Sequence, residues 1–448
     1  MITDAIGRAA APRAGGQRPQ EPAQGPTILP VLILGGGPIG LVCALLLARA
    51  GIGCAMVDAR PLEDLQRDRR LLALSRGSLN LLEPLLGEHF APMAPIEHVH
   101  VSSRGEPGSA RLGGADFAGR SCGATVWYAD LVAALGAAAA GQAASRLYMQ
   151  RPRRAVRIDQ MPERVRVTLD DGQVLEGRIA VDAEGTPGRL PEAKSCALLA
   201  EVEVEGIGQG VAIERFTREG PLALLPLPPG APADAGAVAA TALRRPGRRW
   251  MSMIWCLPAA QARARLALPD DALRAQIAQA LGPRIGQPTA LGRRQLFPLA
   301  THVRAEVCEH RVVHLGNAAQ TLHPVAGQGF NLGLRDCAAL AEALTESCAA
   351  ARPAHPARAP VGPDAPLAGR ADLFGSPFPG DPRDALARYA ARRRVDRRLL
   401  PALTGALPPV FASNLLPVAV ARSAGLLALD TLPGLRRAFT RLLMFGAG

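Results

Sequence analysis

The stretch Gly35-Gly-Gly37-Pro-Ile-Gly40 leaves this chain less choice of fold than any other, because it stands between two strong patterns. Before it, Thr27-Ile-Leu-Pro-Val-Leu-Ile-Leu34 is a short continuous apolar run, the composition of a parallel strand buried on both faces. After it, Leu41–Ala50 reads as a helix and Gly53-Cys-Ala-Met-Val-Asp58 as a second strand, which makes a βαβ unit. The glycines permit a tight turn, close approach to a pyrophosphate and close helix–strand packing. Asp58, 18 residues past Gly40, is spaced to accept hydrogen bonds from a ribose diol and to repel a 2′-phosphate. A dinucleotide is therefore expected at Gly35, Gly37, Gly40 and Asp58, with a purely structural glycine turn as the alternative. Valine at position 37 should then give colourless, poorly folded protein.

A second turn of the same kind lies near the other end. Arg311-Val-Val-His-Leu315 is strand-like, and Gly316-Asn-Ala-Ala-Gln-Thr-Leu-His-Pro-Val-Ala-Gly-Gln-Gly-Phe-Asn-Leu-Gly-Leu-Arg335 opens onto a long Ala/Leu helix. A glycine-lined turn at a helix N-terminus offers bare N–H groups and a positive dipole end to an electron-rich ligand. Two such turns suggest a large dinucleotide gripped at both ends.

Between them the pattern changes. Helical stretches at 77–86 and 128–140 precede alternating Val/Ile runs at 155–169 and 174–181, joined by Asp170-Asp-Gly172 as a hairpin turn. Short strands are expected at 198–204, 210–216, 238–243 and 250–257, with a helix near 269–281. The expected fold class is α/β: a Rossmann-like domain in two parts, 29–197 and 299–350. Inserted at 198–298 is an antiparallel β-sheet substrate domain with a solvent-facing side. Residues 1–28 read as a disordered tail without the apolar stretch of a secretory signal, and 351–382 as a flexible insertion. Residues 383–448 form a helical segment whose end, Leu435-Arg-Arg-Ala-Phe-Thr-Arg-Leu-Leu-Met-Phe445, is amphipathic. It is readable as a cap on the core or as a foot on a membrane surface.

The net charge of +12 raises the question of nucleic acid. The positive residues are scattered arginines, with Lys194 the only lysine and no basic stripe with interleaved aromatics, so no nucleic-acid partner is expected. The eight cysteines have no CxxC spacing, which argues against zinc and a disulfide framework and fits a reducing cytoplasm. No run of 18 apolar residues suggests a membrane span.

The turn at Asn317 decides between dinucleotides. With Asp68-Arg-Arg-Leu-Leu-Ala-Leu-Ser75, Glu214-Arg-Phe-Thr-Arg-Glu-Gly-Pro-Leu-Ala-Leu-Leu-Pro226, Trp255, Phe297-Pro-Leu299 and Tyr389…Asp396, the chain resembles the flavoprotein aromatic hydroxylases of ubiquinone biosynthesis. These are single-component FAD monooxygenases of the para-hydroxybenzoate hydroxylase type, and the similarity is greatest to the 2-polyprenyl-6-methoxyphenol hydroxylase branch. The resemblance implies FAD, NAD(P)H as electron donor and O2 as co-substrate. It implies a polyprenylated phenol as substrate, hydroxylated through a flavin C4a-hydroperoxide. By the same resemblance Asn317 reaches the ribityl and pyrophosphate region and Arg70 neutralises phosphate charge. His323, Pro324, Gly327, Gln328, Gly329 and Asn331 lie against the flavin, although His323 is equally readable as satisfied by local backbone. Glu184-Gly185 stands where the family carries Asp-Gly, and Gly188 replaces a serine, in a turn that serves both flavin and donor. The implied location is cytoplasmic, with peripheral contact at the inner face of the membrane or with a ubiquinone-biosynthesis complex. Two alternatives stay open: a flavin hydroxylase or halogenase of a small soluble aromatic, and a non-catalytic flavin-binding scaffold. The residue sequence nominates no base for the phenol.

Overall fold

The computed structural model describes residues 28–113, 120–142, 146–186, 193–229, 247–322, 327–349, 378, 380–413 and 415–446. The chain enters along strand β1 (Ile28–Leu34), buried from Leu29 onward, so ordered structure starts within the segment read as a tail. Helix α1 (Pro38–Arg49) follows with Pro at its first position and is buried on nearly every side, the mark of a helix enclosed by a core. Next come β2 (Cys54–Val57), β3 (Leu71–Ser75), α2 (Arg76–Leu86), β4 (His98–Ser103), β5 (Ser109–Gly113), β6 (Gly123–Trp127) and α3 (Tyr128–Gln142). Strand β7 (Val174–Asp182) leads on to β8 (Ser195–Glu205), β9 (Val211–Thr217), β10 (Gly220–Pro226) and β11 (Arg248–Pro258). Helices α4 (Ala259–Leu266) and α5 (Asp270–Leu281) precede β12 (Gln287–Leu299) and β13 (Val312–His314). The chain closes with helices α6 (Gln328–Ala349), α7 (Arg383–Ala412), α8 (Leu416–Thr431) and α9 (Pro433–Phe445).

The first sheet runs Cys308–Glu309, β13, β7, β1, β2, Leu147–Gln150, with parallel pairing from β13 through Leu147–Gln150. Val165–Leu169 pairs antiparallel with β7 across the expected turn, where Gly172 adopts φ +84° and donates to the Leu169 carbonyl at 3.0 Å. This sheet brings the ends of β1, β2, β7 and β13 to one edge, the place where open α/β sheets bind ligands.

The second sheet has seven strands in the order β12-β8-β11-β10-β9-β4-β5. It takes in residues 98–113, which the residue pattern assigns to the nucleotide domain, and its β9–β4 pair is parallel in an otherwise antiparallel sheet. One face packs Leu198, Leu222, Met253 and Trp255 against Leu273 and Ile277 of α5. The other face, expected to meet solvent, turns instead toward a cavity closed by α7, α8 and α9, because those helices fold back across it. Helix α4 adds a second helix where the residue pattern shows one.

The strand expected at 238–243, with Gly188, His323 and Pro324, lies outside the described residues, as does most of the 351–382 insertion. The insertion's expected end is part of the fold: Phe378 is buried in the main core and Asp381 pairs with buried Arg311 at 3.2 Å. All eight cysteines are free, and no cluster able to hold a metal ion occurs among the described residues.

Candidate active site

At the first turn, Gly35 has φ +97° and its α-carbon lies against the end of β7; an added Cβ would sit 2.6 Å from the Glu184 nitrogen. A Cβ at Gly40 would run into the Gly35 carbonyl oxygen, so this glycine is required by helix–loop packing. Gly37 differs. Its φ of −70° suits any residue, and a Cβ there would meet only the Tyr128 hydroxyl, at 3.6 Å. The protein leaves space above Gly37, while the first N–H groups of α1 have no side-chain cap. A valine at 37 therefore need not disturb the fold, which corrects the expectation of poor folding.

Asp58 ends β2 nearly buried, and its Oδ2 accepts from the Gly36 amide at 2.6 Å while Oδ1 accepts from the Arg60 amide at 2.7 Å. The carboxylate thus fixes the glycine loop. Glu184 lies near enough that burial, then the charges of Asp182 and Asp58, raise its carboxyl above the usual range. Two residues that the sequence reading misses complete this end. Arg151 donates to the Gly36 carbonyl and covers the loop, and Tyr128 spans from Gly37 to Arg70, whose guanidinium stands 4.9 Å over its ring. No spacing rule flags either of them; both follow a strand whose end only the sheet brings to the loop.

At the second turn Gly316 adopts φ +56° with Ile39 of α1 beneath it, so the two turns meet through one side chain. Asn317 donates from Nδ2 to Thr186 Oγ1 at 3.2 Å, which ties the β13 turn to the β7 turn. Gly327 has φ +60°, and a Cβ at Gly329 would meet nothing within 4 Å among the described residues. Arg70 is not the free cation expected for phosphate. Burial disfavours its charge, but its fork on Asp68, with Nη2 to Oδ2 at 2.6 Å, outweighs that and raises its pKa.

The Asn331 side chain is engaged by the fold itself. Its Nδ2 donates to the carbonyls of Ala73 (2.9 Å) and Gly327 (2.8 Å), and its Oδ1 accepts from the Ser75 amide (2.8 Å) and Ser78 hydroxyl (2.7 Å). With both donors and both acceptor positions used, the side chain staples the α6 N-terminus to β3 and has nothing left for a ligand. Gln328 beside it is buried.

The second turn opens onto a cavity of about 930 Å³ lined mostly by apolar side chains, among them Leu72 and Phe330 and, from the closing helices, Leu407, Leu426 and Leu443. Residues 29–355 match the family described as FAD binding domain. The chain belongs to that family. Two relatives match over nearly the whole length. The chain is 30% identical over 429 residues to ubiquinone hydroxylase UbiL of Rhodospirillum rubrum, covering 92% of this chain and 88% of that protein. It is 25% identical over 425 residues to 3-demethoxyubiquinol 3-hydroxylase of Escherichia coli, covering 91% and 96%. The crystal structure of P. aeruginosa PqsL in complex with 2-aminobenzoylacetate shares the fold, with a TM-score of 0.63, 20% identity and coverage of 89% and 99%.

The residues present fit the cofactor of the FAD-binding family. Glycine at Gly37 and Gly329 keeps side chains out of both turns, the start of α1 has no side-chain cap, and a carboxylate stands at the end of β2.

Proposed function

We propose that this protein is an NAD(P)H-dependent FAD monooxygenase that hydroxylates the ring of a polyprenylated phenol in ubiquinone biosynthesis. The observation that carries the reading is the long apolar cavity, which begins at the α6 N-terminus and continues beneath α7, α8 and α9. A small polar aromatic would leave most of that wall facing water, whereas an isoprenoid tail covers it.

In this reading Gly35, Gly37, Gly40 and the α1 N–H groups hold the pyrophosphate, Asp58 and Glu184 stand at the adenosine end, and Asn317 reaches the ribityl chain. Gly327, Gln328 and Gly329 bring the α6 N-terminus to the ring, where its dipole favours negative charge. Asn331 positions that helix, and Arg70 with Tyr128 walls the passage between the two ends. Bound FAD, reduced by NAD(P)H, supplies with O2 the oxygen that is transferred. The chain's own part is to orient the phenol and to exclude water from the reacting centre.

Phenols with no, two or four isoprene units test this directly. Burying each isoprene unit in the cavity should raise kcat/KM by about 10- to 100-fold over the bare phenol, since each large apolar group is worth about 1.5–3 kcal/mol. Equal or faster turnover of the bare phenol would favour a hydroxylase or halogenase of small aromatics. A bound flavin that NAD(P)H never bleaches would leave a scaffold.

The same reading extends to the membrane. Among the described residues no single helix is long and apolar enough to cross one, but α8 and α9, bent by 99°, leave Leu416 75%, Val420 60% and Leu432 54% exposed. Arg437 and Arg441 are exposed on the same hairpin. Leucines with arginines suit the surface of an anionic bilayer, and the cavity lies just behind them. The protein should co-sediment with vesicles containing phosphatidylglycerol more than with phosphatidylcholine alone, and Leu416→Glu with Val420→Glu should abolish the difference. Equal sedimentation by the double variant would refute a lipid contact here.

A further inference from the structure

We propose that Glu214 is the general base of the hydroxylation, taking the proton of the phenol hydroxyl so that the ring reacts as a phenolate. This rests on the substrate reading above. Glu214 lies in β9, where alternation puts Ala212, Glu214 and Phe216 on the face that lines the cavity. Its neighbours along the sheet row are Val101 of β4, Ala223 of β10 and Ile254 of β11, all apolar and all in the cavity wall. Ala212, on one side, packs with Ile96 and Cys122 near the end of β3. Phe216, on the other, stacks on Phe411 of α7 at 3.7 Å. The carboxylate therefore stands on the cavity wall between these two contacts, and in the proposed reading the phenol ring lies against it.

Its isolation sets it apart. The charged side chains lining the described cavity are Arg69, Arg70, Glu201, Glu214, Arg293 and Arg422. Arg70 is paired with Asp68 and Arg422 with Glu106, while Arg293 and Arg69 both act on Glu201. Among these described residues Glu214 alone has no opposite charge beside it. Burial pushes its carboxyl up to about 7. An unpaired carboxylate in an apolar wall costs stability that an apolar residue would not, and chemistry gives a reason to bear that cost.

A base near neutrality suits a phenol, whose own pKa is about 10. Two other titratable groups bear on the comparison. Burial, then the charge of Glu214, push the Cys256 thiol up. Burial also raises the Glu201 carboxyl, with Arg293 and Arg69 opposing the rise, so Glu201 differs from Glu214 in having cations beside it. In the step itself the phenol O–H bond breaks, its electron pair stays on oxygen and the proton passes to the Glu214 carboxylate. After oxygen enters the ring, the attacked carbon loses its proton to water as aromaticity returns. The phenol oxygen then takes its proton back from Glu214, leaving the carboxylate as it began.

The test uses flavin-loaded native protein, Glu214→Gln and Glu214→Asp with a geranyl-substituted phenol, NAD(P)H and O2, following hydroxylated product from pH 5.5 to 9.5. Native turnover should rise with pH through about 7, because the base must be ionised. Glu214→Gln should make about 100-fold less product at neutral pH. Its rising limb should move toward the phenol's own pKa of about 10, so alkaline pH restores part of the rate, and Glu214→Asp should keep a limb near neutrality with part of the activity. A Glu214→Gln protein with native rate and an unmoved limb overturns the assignment, as does one that is colourless while Glu214→Asp is yellow but has lost the limb. If native protein leaves the phenol untouched, the substrate reading fails and takes this assignment with it.

Discussion

Gly37→Val should fold, melt cooperatively and contain no flavin. The backbone at 37 is in an ordinary region, with φ −70° and ψ −175°, and only the Tyr128 hydroxyl comes within 4 Å of an added Cβ. In the proposed reading the valine methyls fall where the pyrophosphate lies. FAD affinity should drop about 100-fold or more, at least about 2.8 kcal/mol. Gly40→Ala provides the contrast, since its Cβ collides with the Gly35 carbonyl and should damage the fold itself. Visible absorbance, calorimetric titration of FAD and thermal melts distinguish the two cases. A yellow, active Gly37→Val protein, or one without a melting transition, would contradict this account of the loop.

The second large effect is expected behind the Gly316 turn. Arg393 of α7 lies between Asp336 of α6 at 2.8 Å and Asp396 at 2.6 Å, and both carboxylates are almost wholly buried. Arg335 adds a longer contact to Asp396 at 3.5 Å. Removing one member of such a group leaves a buried charge without its partner, so Arg393→Leu should lose about 3–5 kcal/mol of stability. The loss should depend on pH. Burial already raises the Asp336 carboxyl even with Arg393 beside it. Without the arginine its folded pKa rises further above the unfolded value, so protonation favours the fold. The difference between variant and parent should accordingly shrink as pH falls from 8 to 5. Denaturant melts across that range check it, and a difference that grows on acidification would show that the cluster is held by something else.

The first turn is readable from the sequence because its information is local. An apolar run, four glycines in a short loop and an acid at fixed spacing specify β1, α1 and β2 almost by themselves. The Asp170–Gly172 hairpin is readable for the same reason. The seven-stranded sheet is not, because β4 joins β9 in a parallel pair between segments distant along the chain, and no periodicity within either announces its partner. Glu214 stands in plain view within Glu214-Arg-Phe-Thr217. Alternation tells that it shares a face with Ala212 and Phe216, but which face meets the cavity depends on the closing helices. Asn331 reads as a flavin residue from its place after Gly329, and only the fold reveals that β3 consumes its hydrogen bonds. The C-terminal helix is open to two readings, and the structure accommodates both. Thr440 and Leu443 are buried in α9, while Leu435 lies 48% exposed.

The parallel β9–β4 junction has a consequence for engineering. A chimera that imports residues 198–298 from a relative would carry a wall missing its last two strands, left to dock on a foreign 98–113 hairpin. Any transplant intended to change the ring that is oxygenated must move both segments together, because the recipient's own edge would otherwise decide how the graft is seated.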